Sequence, residues 1–393
     1  MHRQACFLAS CLCAFTAGHM VNYSVILFAQ DMLGSAWLSG LGLGLCFGPP
    51  LVLGWFAGVL CDRLAPGRVI QGAQAIFGLA ALALGWTVLR APHERTATLL
   101  LAAGLAGVAW SFASPARMAA LAQIVPAERL KKMSVLFNVF VMLGFGLGPL
   151  MIAMLRRLGG WPSVVWGILG LVIVASVLLL PVRTQAGSAS RQAMAADVRE
   201  GLRAVWAQPL LMQLMLVAMA GYLAMGPMQV LLPRLAVEQL GLADLQRGLL
   251  LGSLALSLIG GGVLAMVLAS RVHHGAAIFA GTLGAGVALA ALGGIRAPGT
   301  ALAMLATVGV LGGMSLSLIV AGIQAEAAVA VRGRVLSMYT IISQVVPASS
   351  GVLAGALMQR FGVSVALLCC GSGLVALMLF NLTWMRALRA QVR

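Results

Sequence analysis

Twelve stretches of at least 18 residues contain no Asp, Glu, Lys or Arg: 4–30, 32–61, 69–89, 96–116, 133–155, 158–182, 204–233, 248–270, 272–295, 297–325, 335–359 and 361–385. A helix crosses a bilayer's hydrocarbon in about 20 apolar residues. Strands of a membrane barrel need only about 10 and alternate in polarity, a pattern this chain lacks. Inside lipid, runs of this length satisfy their backbone N–H and C=O groups only as helices. The runs therefore predict an all-α membrane protein with twelve transmembrane helices. Composition agrees: 61% of the residues are hydrophobic and 9% charged, against roughly 25% charged in soluble domains.

The longest polar interruption, RTQAGSASRQAMAADVREGLR (183–203), divides the runs six and six. Its Gly/Ser/Ala-rich first part reads as a linker. Asp197 to Arg203 reads as a short amphipathic helix lying on the membrane. The expected organisation is an N-terminal six-helix bundle (1–182), a linker (183–203) and a C-terminal six-helix bundle (204–393). An even number of crossings puts both termini on one side. That side would hold 17 basic residues and the other 8. The positive-inside rule then places the termini and the linker in the cytoplasm, although Arg156 and Arg157 run against it. His2 and Arg3 before an apolar run resemble a signal peptide. The length of that run and the spans that follow favour a retained first helix.

The halves echo one another. A shift of 203 superposes Arg129 on Arg332, Ser134 on Ser337 and Gly148 on Gly351. A shift of 208 brings Cys61-Asp62-Arg63 onto Ala269-Ser270-Arg271. These matches suggest two pseudo-symmetric six-helix units, an architecture known among transporters with a central binding site.

Charges are scarce, so GVLCDRLAPGR (58–68), between the second and third runs, stands out. Pro66 and Gly67 suit the turn, and small residues before Asp62 let another helix approach. A carboxylate at the membrane edge needs a partner. Arg117 and the helix start near Arg334 are the candidates, and such a pair would form a cytoplasmic conformational latch. A plain positive loop with a local Asp–Arg pair is the alternative. Gly58, Asp62, Arg63 and Arg68 match the loop signature G-x-x-x-D-R-x-x-x-R, so the stretch resembles that of the major facilitator superfamily. Gly144, Gly148 and Pro149 in GFGLGPL (144–150) resemble its antiporter motif G-x-x-x-G-P. SPARMAALAQIVPAERL (114–130), DVREGLRAVWAQP (197–209) and RGRVLSMY (332–339) are similar to the bacterial branch holding the enterobactin exporter and macrolide-efflux-like proteins. The resemblance spans essentially the whole chain. It implies secondary active transport by alternating access, in the form of drug or siderophore efflux driven by proton exchange.

The resemblance also implies a central cavity lined by the first, fourth, seventh and tenth spans. Polar groups inside a membrane are costly and often functional. His19, Asn22 and Tyr23 share one face of the first span. His19 can take up a proton near neutral pH; it equally fits a neutral residue hydrogen-bonded between helices. Trp110, Ser114 and Arg117 are spaced by four and three in the fourth span, and Asn138 lies in the fifth. Met215, Met219, Tyr222 and Gln229 mark the seventh. Such a wall suits varied ligands, or is simple packing. Tyr339 and Ser343 come from the eleventh. No acid lies at mid-span: Asp31, Asp62, Glu238 and Glu326 all fall near span ends. The cavity is thus expected to be polar, aromatic and weakly charged.

The expected partners are a small-molecule substrate, protons and the lipid bilayer, with the protein a monomer. Basic residues are scattered, with no stripe to engage nucleic acid. The chain has only two lysines, Lys131 and Lys132, and neither follows a Gly-rich phosphate-binding loop. His273-His274 has no nearby Cys or acid to complete a metal set, and no cofactor is expected. The seven cysteines, an odd number without zinc-site spacing, read as small buried hydrophobes. The expected function is export of amphipathic small molecules across a bacterial inner membrane. Nutrient or metabolite uptake by a symporter of the same fold is the alternative transport reading; a polytopic membrane enzyme or a sensor is the alternative of another class.

Overall fold

The structure is a computed structural model and describes residues 2–186, 194–268, 274–328 and 331–384. Arg271 and Ser188 lie outside them. Among the described residues all regular structure is helical. The helices are α1 (His2–Asp31), α2 (Ala36–Phe47), α3 (Pro50–Arg63), α4 (Pro66–Leu89), α5 (Arg95–Ile124), α6 (Ala127–Leu179), α7 (Met194–Ala207), α8 (Pro209–Leu223), α9 (Met225–Glu238), α10 (Asp244–Leu268), α11 (His274–Leu292), α12 (Pro298–Glu326) and α13 (Arg332–Trp384).

Ten described segments are long and apolar enough to cross a membrane. Two of them, of 52 and 50 residues, are about twice the length one crossing needs. Each is broken by a glycine in a conformation that L side chains rarely adopt: Gly160 (φ 66°) in α6 and Gly362 (φ 79°) in α13. With these two divided at their glycines, the described residues hold twelve crossing-length segments, the number of charge-free runs in the sequence. α6 and α13 are both 53 residues long, and their reversal glycines are related by nearly the shift that aligns the two halves in sequence.

Two predicted spans are discontinuous. The run 32–61 becomes α2 and α3, separated at Gly48 and Pro49. Pro49 and Pro50 both lack an N–H, so the hydrogen-bond ladder of α2 cannot continue through them. The run 204–233 becomes α8 and α9, separated at Ala224, whose N–H turns back to the Gly221 and Tyr222 carbonyls. Pro227 follows, again without a donor.

The chain forms two compact units, Met1–Ser190 with Leu242–Gly252, and Arg191–Gly241 with Ser253–Arg393. In the first unit α1 is the innermost helix. Phe7, Phe15, Met20, Tyr23, Ile26 and Phe28 are all fully buried. The next helices turn large apolar side chains outward, among them Trp86, Leu101, Trp166, Ile173 and Val177. That surface suits lipid; in water it would be one large adhesive patch. α6 lies directly on α1 through the predicted antiporter glycines. A Cβ at Gly144 would stand 2.8 Å from Phe15 Cβ, and one at Gly148 3.2 Å from His19 Cβ. Spacing by four puts both on one helix face, and their lack of side chains lets the backbones meet. Of the cysteines, Cys11, Cys46 and Cys61 are buried, Cys369 is exposed, and none forms a disulfide.

Candidate functional site

The polar face of α1 meets an aromatic cluster. Trp110 of α5 donates its indole N–H to Asn22 Oδ1 at 3.2 Å. Its ring lies 4.9 Å from His19, 6.0 Å from both Phe15 and Phe47, and 5.4 Å from Phe77, centroid to centroid. Phe145 of α6 closes the other side, 5.3 Å from His19 and 5.7 Å from Tyr23. His19, Asn22, Tyr23 and Trp110, all named from the sequence, are brought near one another by α1 and α5. Phe145 joins them from α6. Its position reads in sequence as an ordinary apolar one, and only its place between two motif glycines could have marked it.

Several polar atoms here have no protein partner among the described residues. They are both ring nitrogens of His19, Asn22 Nδ2 and the Tyr23 hydroxyl, all buried. Groups like these normally find partners, because an unpaired one costs about 1–3 kcal/mol. The His19 ring packs between Trp110 and Phe145 with no protein hydrogen bond among the described residues. Ser114 of α5 is half-buried, and Asn138 of α6 is exposed.

In the second unit, the hydroxyls of Tyr222 (α8) and Tyr339 (α13) share a hydrogen bond of 2.8 Å, their rings 5.8 Å apart. Ser343 Oγ, one turn on from Tyr339, donates to the Thr340 carbonyl at 2.7 Å. Met215 is buried, whereas Met219, one turn on, is 40% exposed. Gln229 of α9 is buried; its Nε2 donates to the Met225 carbonyl at 3.5 Å and its Oε1 has no described partner. A small, partly open apolar pocket lies at the α8–α9 break, walled by Gly221, Met225, Met228, Leu254 and Leu316. The hydroxyls on its wall, Thr282 and Ser315, are both spent on the Ile278 carbonyl.

The GVLCDRLAPGR stretch covers the end of α3, the turn and the start of α4. The Gly67 N–H donates to Thr184 Oγ1 at 2.8 Å, tying the turn to the first residues of the linker. Arg63 and Arg68 are exposed. The Asp62 side chain and Gly58's surroundings lie outside what the structure describes. Arg117 is almost wholly buried. Its Nη1 reaches Ser10 Oγ and Cys11 Sγ, both at 3.3 Å, and its guanidinium stands 5.7 Å from the Phe15 ring centre. Arg117 Nε and Nη2 have no described partner. Arg334 pairs instead with Glu200 of α7 at 2.8 Å.

The densest charge cluster was not anticipated. Asp31, the last residue of α1, takes both prongs of Arg247 (3.1 and 2.9 Å) and Arg156 at 2.7 Å. Arg156 also approaches Asp244 at 3.7 Å and stacks 4.9 Å over Trp161. Two-pronged arginine–carboxylate pairing is among the stronger and more directional polar contacts. The cluster lies within the first unit, to which residues 242–252 belong. It gives Arg156 a structural reason to stand against the charge rule. No group of three or more His, Cys, Asp or Glu side chains that could hold a metal is found among the described residues.

The long apolar helices of both units are those of a multi-pass membrane protein. The sequence model of the Major Facilitator Superfamily matches residues 6–351, and the chain belongs to that superfamily. A point mutant of the nucleoside transporter NupG has a similar structure, with TM-score 0.78 and 9% identity over 98% of this chain and 100% of that one. A POT family transporter in complex with 5-aminolevulinic acid gives 0.75 and 11%, covering 98% and 96%. A bacterial homologue of the human lysosomal transporter Spinster gives 0.73 and 15%, covering 99% and 98%. No curated protein sequence matches the chain. At these identities the structures share the fold.

Proposed function

We propose that this protein exports amphipathic small molecules, siderophore or drug-like, across a bacterial inner membrane by alternating access in exchange for protons. The observation that carries the reading is the group formed by His19, Asn22, Tyr23, Trp110 and Phe145. Convergent unpaired polar atoms amid aromatic faces suit a ligand that is largely apolar with a few hydrogen-bonding groups. Charge supports it too. Asp31, Glu238 and Glu326 each end a helix, and Asp244 begins one, so mid-span offers little for a strongly ionic substrate. Ser114, Asn138, Met215, Met219, Tyr222, Gln229, Tyr339 and Ser343 extend the substrate path in this reading.

The resemblance in the antiporter motif, Gly144, Gly148 and Pro149, supports export. Gly148 sets α6 against the backbone at His19, so a change at His19 is felt at the motif. Gly58, Asp62, Arg63, Arg68, Arg117 and Arg334 form the proposed latch. The two unpaired buried donors of Arg117 favour a carboxylate acceptor, which Asp62 supplies in part of the cycle.

His19 is the one histidine in this group and the proposed proton carrier. In liposomes, His19→Gln abolishes proton-gradient-driven flux of an amphipathic dye or a catecholate siderophore, while the dissociation constant changes less than about threefold, under 0.7 kcal/mol. Unchanged driven flux in that variant, with loss in Asp31→Asn or Glu326→Gln, would move the proton site to the span ends.

A further inference from the structure

α7 precedes a membrane crossing by a single residue, Gln208, before α8 starts at Pro209. Its last turn is therefore held at the depth where the chain enters the bilayer. One side of α7 is used. Gly201 packs on α13, where an added Cβ would come within 3.2 Å of Arg334 Cβ and 3.3 Å of Met338 Sδ. Val205, one turn on, is buried, and Glu200 pairs with Arg334.

The neighbouring side is unused. Leu202 is 44% exposed and Trp206 70% exposed, one turn apart. At 100° per residue Arg199 and Arg203 come next around the helix, also one turn apart. Both are exposed and make no hydrogen bond or ion pair with a described residue. Around the helix the order is thus a packed strip, an apolar strip and a basic strip. An apolar strip beside arginines, with a tryptophan at the boundary, is the pattern of a helix lying in a membrane interface. Arginines in that place complement the negative surface of anionic lipid.

We infer that the Leu202–Trp206 and Arg199–Arg203 face of α7 docks on the anionic phospholipid headgroups of the adjoining leaflet. The consequence reaches the candidate site. α7 holds the first turns of α13 through Gly201 and Glu200, and α13 carries Tyr339 and Ser343. Anionic lipid therefore steadies the end of the helix that presents these groups.

Hydrogen exchange of the full-length protein tests this, with one copy per nanodisc of phosphatidylcholine with or without phosphatidylglycerol. Phosphatidylglycerol slows exchange of the α7 amides roughly tenfold or more and leaves those of α4 unchanged. Arg199→Gln with Arg203→Gln removes the effect. The Lys versions at both positions keep it, which separates lost charge from lost folding. Equal exchange in the two lipid mixtures would overturn the inference. Slowing that requires two copies in one particle would also overturn it, assigning the face to a second protein molecule.

Discussion

At the scale of single residues, Trp110 does two jobs, packing against aromatic rings and satisfying Asn22 Oδ1. Trp110→Phe keeps most of the ring contact and removes the donor, leaving a buried carbonyl oxygen unpaired. The expected loss is about 1–3 kcal/mol, read as a lower melting temperature in detergent. In an Asn22→Ala background the same change costs about 1 kcal/mol less, because the acceptor is already gone. Equal losses in both backgrounds would show that the hydrogen bond contributes nothing. Asp62→Asn addresses the other half of the residue-level reading. It impairs efflux of a dye from cells at least tenfold at equal membrane abundance, since the Arg117 donors lose their charged acceptor; wild-type efflux would sink the latch.

At the scale of elements, α1 against α6 is the contact most open to measurement. Gly144→Ala puts a methyl 2.8 Å from Phe15 Cβ and the backbone, so helices must separate, at about 1–3 kcal/mol. Gly148→Ala meets its nearest atoms at 3.2 Å and is the milder change. Gly170, with nothing within 4 Å, accepts Ala without loss. That ranking, measured by thermal unfolding, fails if Gly144→Ala proves no worse than Gly170→Ala. The crossings themselves were legible in the sequence because each is a long uncharged run whose only stable form in lipid is a helix. The breaks within them were less so. Pro49-Pro50 announces its own, but the α8–α9 break at Ala224 depends on Pro227 three residues further on, and a proline alone often only kinks a helix. The site divides the same way. His19, Asn22, Tyr23 and Trp110 show up as polar or amphipathic side chains in apolar runs. Phe145 does not, because one phenylalanine among apolar neighbours carries no sign of what it touches. Asn138, read from sequence alongside the cavity groups, is exposed in the structure.

For the whole molecule, the open quantity is orientation, and charge is the sequence-level signal for it. Of the 8 basic residues assigned to the side opposite the termini, Arg90, Arg156, Arg234 and Arg247 pair with carboxylates. Their presence there has a local cause, which weakens them as evidence against a cytoplasmic linker. The partners Asp31, Glu94, Glu238 and Asp244 make up four of the chain's nine acids, a concentration that counting lysines and arginines alone overlooks. Two positions decide the matter. His93, in the turn before α5, has a side chain 80% exposed, and Ser188 lies in the linker. With the native cysteines replaced, His93→Cys is labelled by a membrane-impermeant maleimide in intact cells. Ser188→Cys is labelled only after the membrane is opened. The reverse pattern would invert the topology and place the Asp31–Arg247 cluster in the cytoplasm. Labelling of both sites from outside would mean that the two positions share a side, which an odd number of crossings between them would forbid.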